Sequence, residues 1–171
     1  MPLARPGRRA GIAGLWGASL AGLVACGGRG ADCGPREATA LRVIDGDTIV
    51  VSGDLKIRYL LVNAPETTNG HTDCYGANAS QFNSDLVLGK PVQLTYDTQC
   101  QDMFGRTLAY VTVDGQDVNR LLVERGYGCV LYIPPDGMEK HDEYETLEAA
   151  AKAGNKGMWG FCTDGVPCAS K

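Results

Sequence analysis

The chain has 171 residues, 16 Lys and Arg against 20 Asp and Glu, and a formal charge of −4. That length suits one domain. The acidic balance excludes a broadly basic surface, the usual source of non-specific nucleic-acid affinity, so a nucleic acid would have to be held by a local basic site and a bound cation.

The first 25 residues differ from the rest. Arg5, Arg8 and Arg9 precede an uncharged, Ala-, Gly- and Leu-rich stretch from Ala10 to Ala25. This is the charged start and apolar middle of an export signal, too short for a comfortable membrane span. It ends Leu23-Val24-Ala25-Cys26, which resembles a lipobox, with Cys26 as the lipidated residue. An ordinary signal with Cys26 left as a thiol is the alternative. Twin-arginine export through Arg8-Arg9 is weaker, because the flanking residues do not support it. Removing residues 1–25 takes away three arginines and no acid, so the charge moves from −4 to −7. The expected location is the cell envelope, in the outer membrane of a Gram-negative bacterium, since Gly27 and not Asp follows the cysteine. Otherwise the protein is periplasmic or secreted.

Seven cysteines agree with export. Setting Cys26 aside leaves Cys33, Cys74, Cys100, Cys129, Cys162 and Cys168, an even set suited to three disulfides whose pairing the sequence leaves open. No CxxC spacing occurs, which argues against zinc. Residues 26–37 read as a tether, 38–162 as the folded domain and 163–171 as a tail.

Leu41 to Val51 is an apolar run interrupted by Asp45-Gly46-Asp47, where a bend or bulge is expected. Leu55 to Val62 follows as a strand after a Ser52-Gly53-Asp54 turn, and Pro65 ends it. Tyr75, Ala79, Phe82 and Leu86 recur at helical spacing, with Gly89 as the stop. Pro91 to Tyr96 is a strand in which Val92, Leu94 and Tyr96 alternate, and Arg106 to Val113 is a strand after a polar loop. Asp117 to Arg125 reads as a short helix, Cys129 to Ile133 as extended. A last helix, capped by Asp136, runs to about Ala153.

Asp47 and Arg58 are charges inside apolar strand patterns. An isolated charge there costs several kcal/mol unless something opposite pairs with it. A hard cation suits Asp47, and a phosphate suits the planar fork of Arg58.

Asp45-Gly46-Asp47-Thr48, Arg58, Ala64-Pro65-Glu66 and Phe104-Gly105-Arg106-Thr107-Leu108-Ala109-Tyr110, in that order and spacing, resemble the staphylococcal nuclease (thermonuclease, micrococcal nuclease) family. The resemblance runs from about Ala40 to Trp159. It implies an α+β, mainly β fold: a five-stranded OB-fold barrel with three helices, here stapled by disulfides. It implies a calcium-dependent endonuclease acting on DNA and RNA, leaving 3′-phosphates. The roles it implies are Arg58, Glu66 and Arg106 as catalytic residues. Asp47, Asn63 and the main chain of Ala64 would hold Ca2+, and Tyr132 and Phe104 would contact the nucleotide. The partners are then nucleic acid and, through Cys26, a membrane; no protein partner is implied, and a monomer is expected.

Two departures bear on activity. Asn63 stands where the family has a second metal carboxylate, and an amide brings no charge. Met103-Phe104 replaces a lysine and a tyrosine. A rival reading is therefore a catalytically weakened OB-fold module that binds nucleic acid or protein. A purely structural envelope lipoprotein is the third, and it leaves both arginines and Glu66 unexplained.

Overall fold

The computed structural model describes residues 32–166 except 69 and 71. The expected signal segment, Cys26 and Cys168 lie outside the described residues. β1 (Glu37–Val43), β2 (Thr48–Val51), β3 (Leu55–Tyr59), β5 (Pro91–Thr95) and β6 (Thr107–Val113) form the barrel, with β4 (Leu61–Asn63) lying between β3 and β5 in the chain. The order β3-β2-β1-β5-β6 is antiparallel throughout, and a parallel β3–β6 pairing closes it. Closure removes the exposed sheet edges. This is the expected five-stranded, OB-type barrel. β7 (Gln116–Asp117) adds to β6, while β4 pairs with β8 (Cys129–Leu131) outside the barrel.

Alternation builds the core. Ile57 and Tyr59 join Ile49, Val51, Val92, Leu94 and Val111 inside, and Arg58 between them faces the other way. Three helices of two or more turns are present: α1 (Gly76–Val87), α2 (Val118–Glu124) and α3 (His141–Ala153). A single further turn, α4 (Met158–Phe161), was not legible in the sequence.

Asn119 of α2 joins helix to barrel. It is fully buried, accepts from the Val111 N–H at 2.9 Å and donates to Leu60 O at 2.9 Å and Ala109 O at 3.2 Å. Removing it takes the side-chain partner from the Val111 N–H and from Leu60 O, each costing about 1–3 kcal/mol, while Ala109 O keeps the Leu60 N–H at 3.1 Å. Asn119→Ala is expected to lose about 2 kcal/mol or more of stability in urea unfolding; a loss below about 1 kcal/mol would contradict this placement.

Several local expectations change. Leu41 to Val51 is not one bent strand but a hairpin, because Ile44 and Asp45 both donate backbone bonds to Thr48 O and reverse the chain. Asp136 does not cap α3, which starts at His141 after turns through 134–140. Its Oδ1 instead accepts from the N–H groups of Thr98 and Gln99, both at 2.8 Å. The fold also begins before residue 38. Leu94 N donates to Arg36 O, Tyr96 Oη donates to Pro35 O, and Cys33 is bridged to Cys100. Cys74 is bridged to Cys162, and Cys129 is also disulfide-bonded.

Candidate active site

The β1–β2 turn, the β3–β4 corner and the loop before β6 meet at one end of the barrel. Gly46 lets the turn approach: a Cβ there would lie 2.6 Å from Ala64 Cβ and 2.8 Å from Ala79 Cβ. That contact is why a glycine separates the two aspartates. At the corner Leu61 takes a left-handed backbone, φ 60°, which folds Val62 back over Arg58. Gly137 packs so tightly on Leu61 that no Cβ would fit.

Asp47 is 5% exposed and fully engaged. Its Oδ2 accepts from the Ala64 N–H at 2.7 Å and faces Arg58 Nη2 at 3.2 Å. Its Oδ1 accepts from Thr48 Oγ1 at 2.9 Å. Arg58, 8% exposed, donates through Nη1 to Tyr59 O at 2.8 Å and Val62 O at 2.6 Å. The guanidinium is thus fixed on one side by a carboxylate and two carbonyls. Fixed donors of this kind need no reorganisation when a charge arrives.

Arg106 lies two residues before Leu108, the register partner of Arg58 across the parallel pairing. Its Nε donates to Asp102 Oδ2 at 2.6 Å, while Asp102 Oδ1 accepts from the N–H groups of Phe104 and Arg106. Burial works to raise the Asp102 carboxyl, yet these bonds and the Arg106 charge hold it below the usual carboxylate range. The Arg106 side chain makes no other hydrogen bond among the described residues, so its two terminal nitrogens are left to the cavity.

Arg58 and Arg106 line one cavity of about 450 Å³, together with Asn63, Asp102, Phe104, Leu131, Ile133 and Asp136. Phe104 stands at its rim, 74% exposed, with the Arg106 guanidinium 5.5 Å from its ring centre. A cavity with two rigid guanidinium groups and an apolar wall suits a phosphate ester carrying a flat, apolar substituent. Tyr132 does not line it. Its ring lies 4.2 Å from that of His141, while its neighbours Leu131 and Ile133 line the cavity.

Glu66 follows at the end of the same segment as Asn63 and Ala64. Its backbone is bracketed by Asp73, which accepts from the Glu66 N–H at 3.0 Å and donates its own N–H to Glu66 O at 2.9 Å. Its Oε1 accepts from the N–H groups of Thr67 and Thr68. Glu66 does not itself line the cavity. The structure therefore joins Asp47, Arg58 and Ala64 by direct bonds, sets Asn63 and Arg106 around the shared cavity, and leaves Glu66 on the flank.

A cation fits the donor set beside Asp47. Burial first, and then the negative Asp47 beside it, push the Asp45 carboxyl up to about 7. Two acids crowded against a single arginine are short of positive charge. Asn63 Nδ2 is buried without a hydrogen-bond partner. Turning that amide end for end would put Oδ1 in the orphaned position, as a cation ligand needs.

Asp102 and Asp136 were not legible as site residues. The only sequence signal was their place in polar segments flanking Arg106 and the paired prolines.

Residues 56–160 match the family model described as staphylococcal nuclease homologue. The chain belongs to that family. Among relatives, the endonuclease YncB of Bacillus subtilis (strain 168) is 39% identical over 124 residues, covering 69% of this chain and 59% of that protein. The SPbeta prophage-derived endonuclease YokF of the same organism is 36% identical over 137 residues, 75% of this chain and 46% of that protein. This chain thus spans less than two thirds of either Bacillus protein. A thermonuclease of Staphylococcus hyicus is 35% identical over 124 residues, with 70% and 73% covered. In this staphylococcal nuclease homologue, Arg58, Glu66 and Arg106 lie within the matched residues and Asp47 lies ahead of them.

Proposed function

We propose that the protein is a metal-dependent endonuclease that hydrolyses phosphodiester bonds of DNA and RNA with little sequence preference, leaving 3′-phosphates. The observation that carries this reading is the single cavity holding both Arg58 and Arg106, with Arg58 tied to Asp47 at 3.2 Å. Arg58 and Arg106 grip the scissile phosphate and offset the charge that builds as a fifth oxygen joins phosphorus. Glu66 positions or deprotonates the attacking water. Phe104, which shares the cavity lining with Ile133, receives a base. Asp47, Asn63 and Ala64 would hold Ca2+, with Asp45 beside them, and when bound the ion supplies further positive charge at the phosphate.

Incubating the protein with single-stranded DNA in millimolar calcium, against a chelator control, tests the reading. Chelator-sensitive cleavage is expected, and its absence counts against the assignment. The protein is placed in the cell envelope, anchored through Cys26, as a monomer; labelled palmitate incorporated by the wild type and not by Cys26→Ser checks the anchor.

Asn63 favours a second reading, a binding module with a weakened cation site. Asn63→Asp adds a charged oxygen ligand and is expected to tighten calcium binding about tenfold or more in calorimetry. If wild type binds no calcium and Asn63→Asp restores both binding and cleavage, the binding-module reading holds.

A further inference from the structure

We infer that the disulfides assemble the catalytic loops, so that the protein is competent for cleavage only when oxidised; this rests on the nuclease reading above. The barrel interior needs no sulfur bond. Its buried members are aliphatic and aromatic; Cys33 only packs against it from outside, and Cys129 and Cys162 belong to a separate cluster around Met158. Each bridge instead attaches to a segment that carries a site residue. Cys100 sits in the loop between β5 and β6, flanked by Gln99 and Gln101 of the cavity wall and followed by Asp102 and Arg106. Its partner, Cys33, comes from the segment ahead of β1. Cys74 follows Asp73, the residue that brackets the Glu66 backbone, and its partner, Cys162, ends α4. Cys129 is the register partner of Asn63 across β4 and β8. So the N-terminal and C-terminal segments strap the arginine loop and the glutamate loop in place from outside.

The physical need is clear. Among the described residues, 96–106 and 64–75 contain no helix or strand beyond an isolated bridge at Gln101, so ordering them for phosphate binding rests on a few side-chain bonds and is opposed by conformational entropy. A bridge removes that freedom before substrate arrives. Cys74 and Cys100 are exposed, so a dithiol can reach both bridges. Each reduction breaks one S–S bond, takes two electrons and two protons from the dithiol, and leaves two cysteine thiols and the reductant's own disulfide. A chain still among reducing thiols then has a folded barrel and an unassembled site, which protects the cell that makes a non-specific nuclease.

The test compares the full oxidised chain, the same chain reduced with dithiothreitol, and the paired variants Cys33→Ser/Cys100→Ser and Cys74→Ser/Cys162→Ser. Cleavage of single-stranded DNA, circular dichroism and amide hydrogen exchange are read on each. Reduction and each paired variant are expected to lower kcat by about a hundredfold. Exchange should accelerate at residues 98–104 or 66–74, while β2, β3 and β6 stay protected and the dichroism holds. Reoxidation of the reduced wild type should restore kcat. Full kcat with protected loops after reduction overturns the inference, and so does loss of protection in loops and barrel together. An oxidised chain that cleaves nothing defeats the nuclease reading, and loop exchange still decides whether the bridges order the site.

Discussion

Arg58→Ala is expected to lose stability and cleavage together. The stability loss comes from Asp47, which is 5% exposed and meets a single guanidinium at 3.2 Å. Removing one partner of a buried pair leaves an uncompensated charge and costs about 3–5 kcal/mol. Two carbonyls, Tyr59 O and Val62 O, lose their donor as well. Set against a total of about 5–15 kcal/mol for a domain, that brings the variant close to unfolding. Urea unfolding followed by circular dichroism measures it; a loss under about 1 kcal/mol would show that Arg58 is not the partner that Asp47 depends on. Arg58→Lys keeps a charge but loses the fork. It is expected to recover part of the stability and little of the cleavage.

Arg106→Ala separates the two effects. Arg106 is only part-buried and its ion pair with Asp102 lies at the cavity mouth, where such pairs contribute about 0–1 kcal/mol. The melting curve is therefore expected to move little. The rate is another matter. A fixed donor aimed at developing charge is worth about 10²–10³ in kcat, or about 3–4 kcal/mol. Single-turnover cleavage at saturating DNA reads this directly. A variant with near wild-type kcat and a raised KM would make Arg106 a binding residue with no special role in the transition state.

How much of this was written in the sequence depends on the range of the interaction. Asp47 and Arg58 stood out because a charge inside an apolar strand requires a partner. The partner turned out to be each other, across the adjacent β2 and β3, where Thr48 pairs with Arg58. β5 was legible from alternation because the barrel buries one face of it, whereas β2, buried along its whole length, read as an apolar run. Asp102 and Asp136 were not, since their role is to accept backbone N–H groups of a loop whose path only the closed fold defines. The same gap explains α3. Asp136 before an amphipathic run reads as a cap, but the turns through 134–140 carry its carboxylate to Thr98 and Gln99 instead. Tyr132 shows the limit of a motif: its neighbours Leu131 and Ile133 line the cavity while its ring packs beside His141.

A double-mutant cycle on kcat, pairing Arg58→Lys with Arg106→Lys, addresses the convergence of the two guanidinium groups most directly. If both grip one phosphate, the double variant loses far less than the product of the two single losses, because the first substitution already dismantles the clamp. Losses that multiply would mean the two arginines act on separate groups, and the shared-phosphate account would fall.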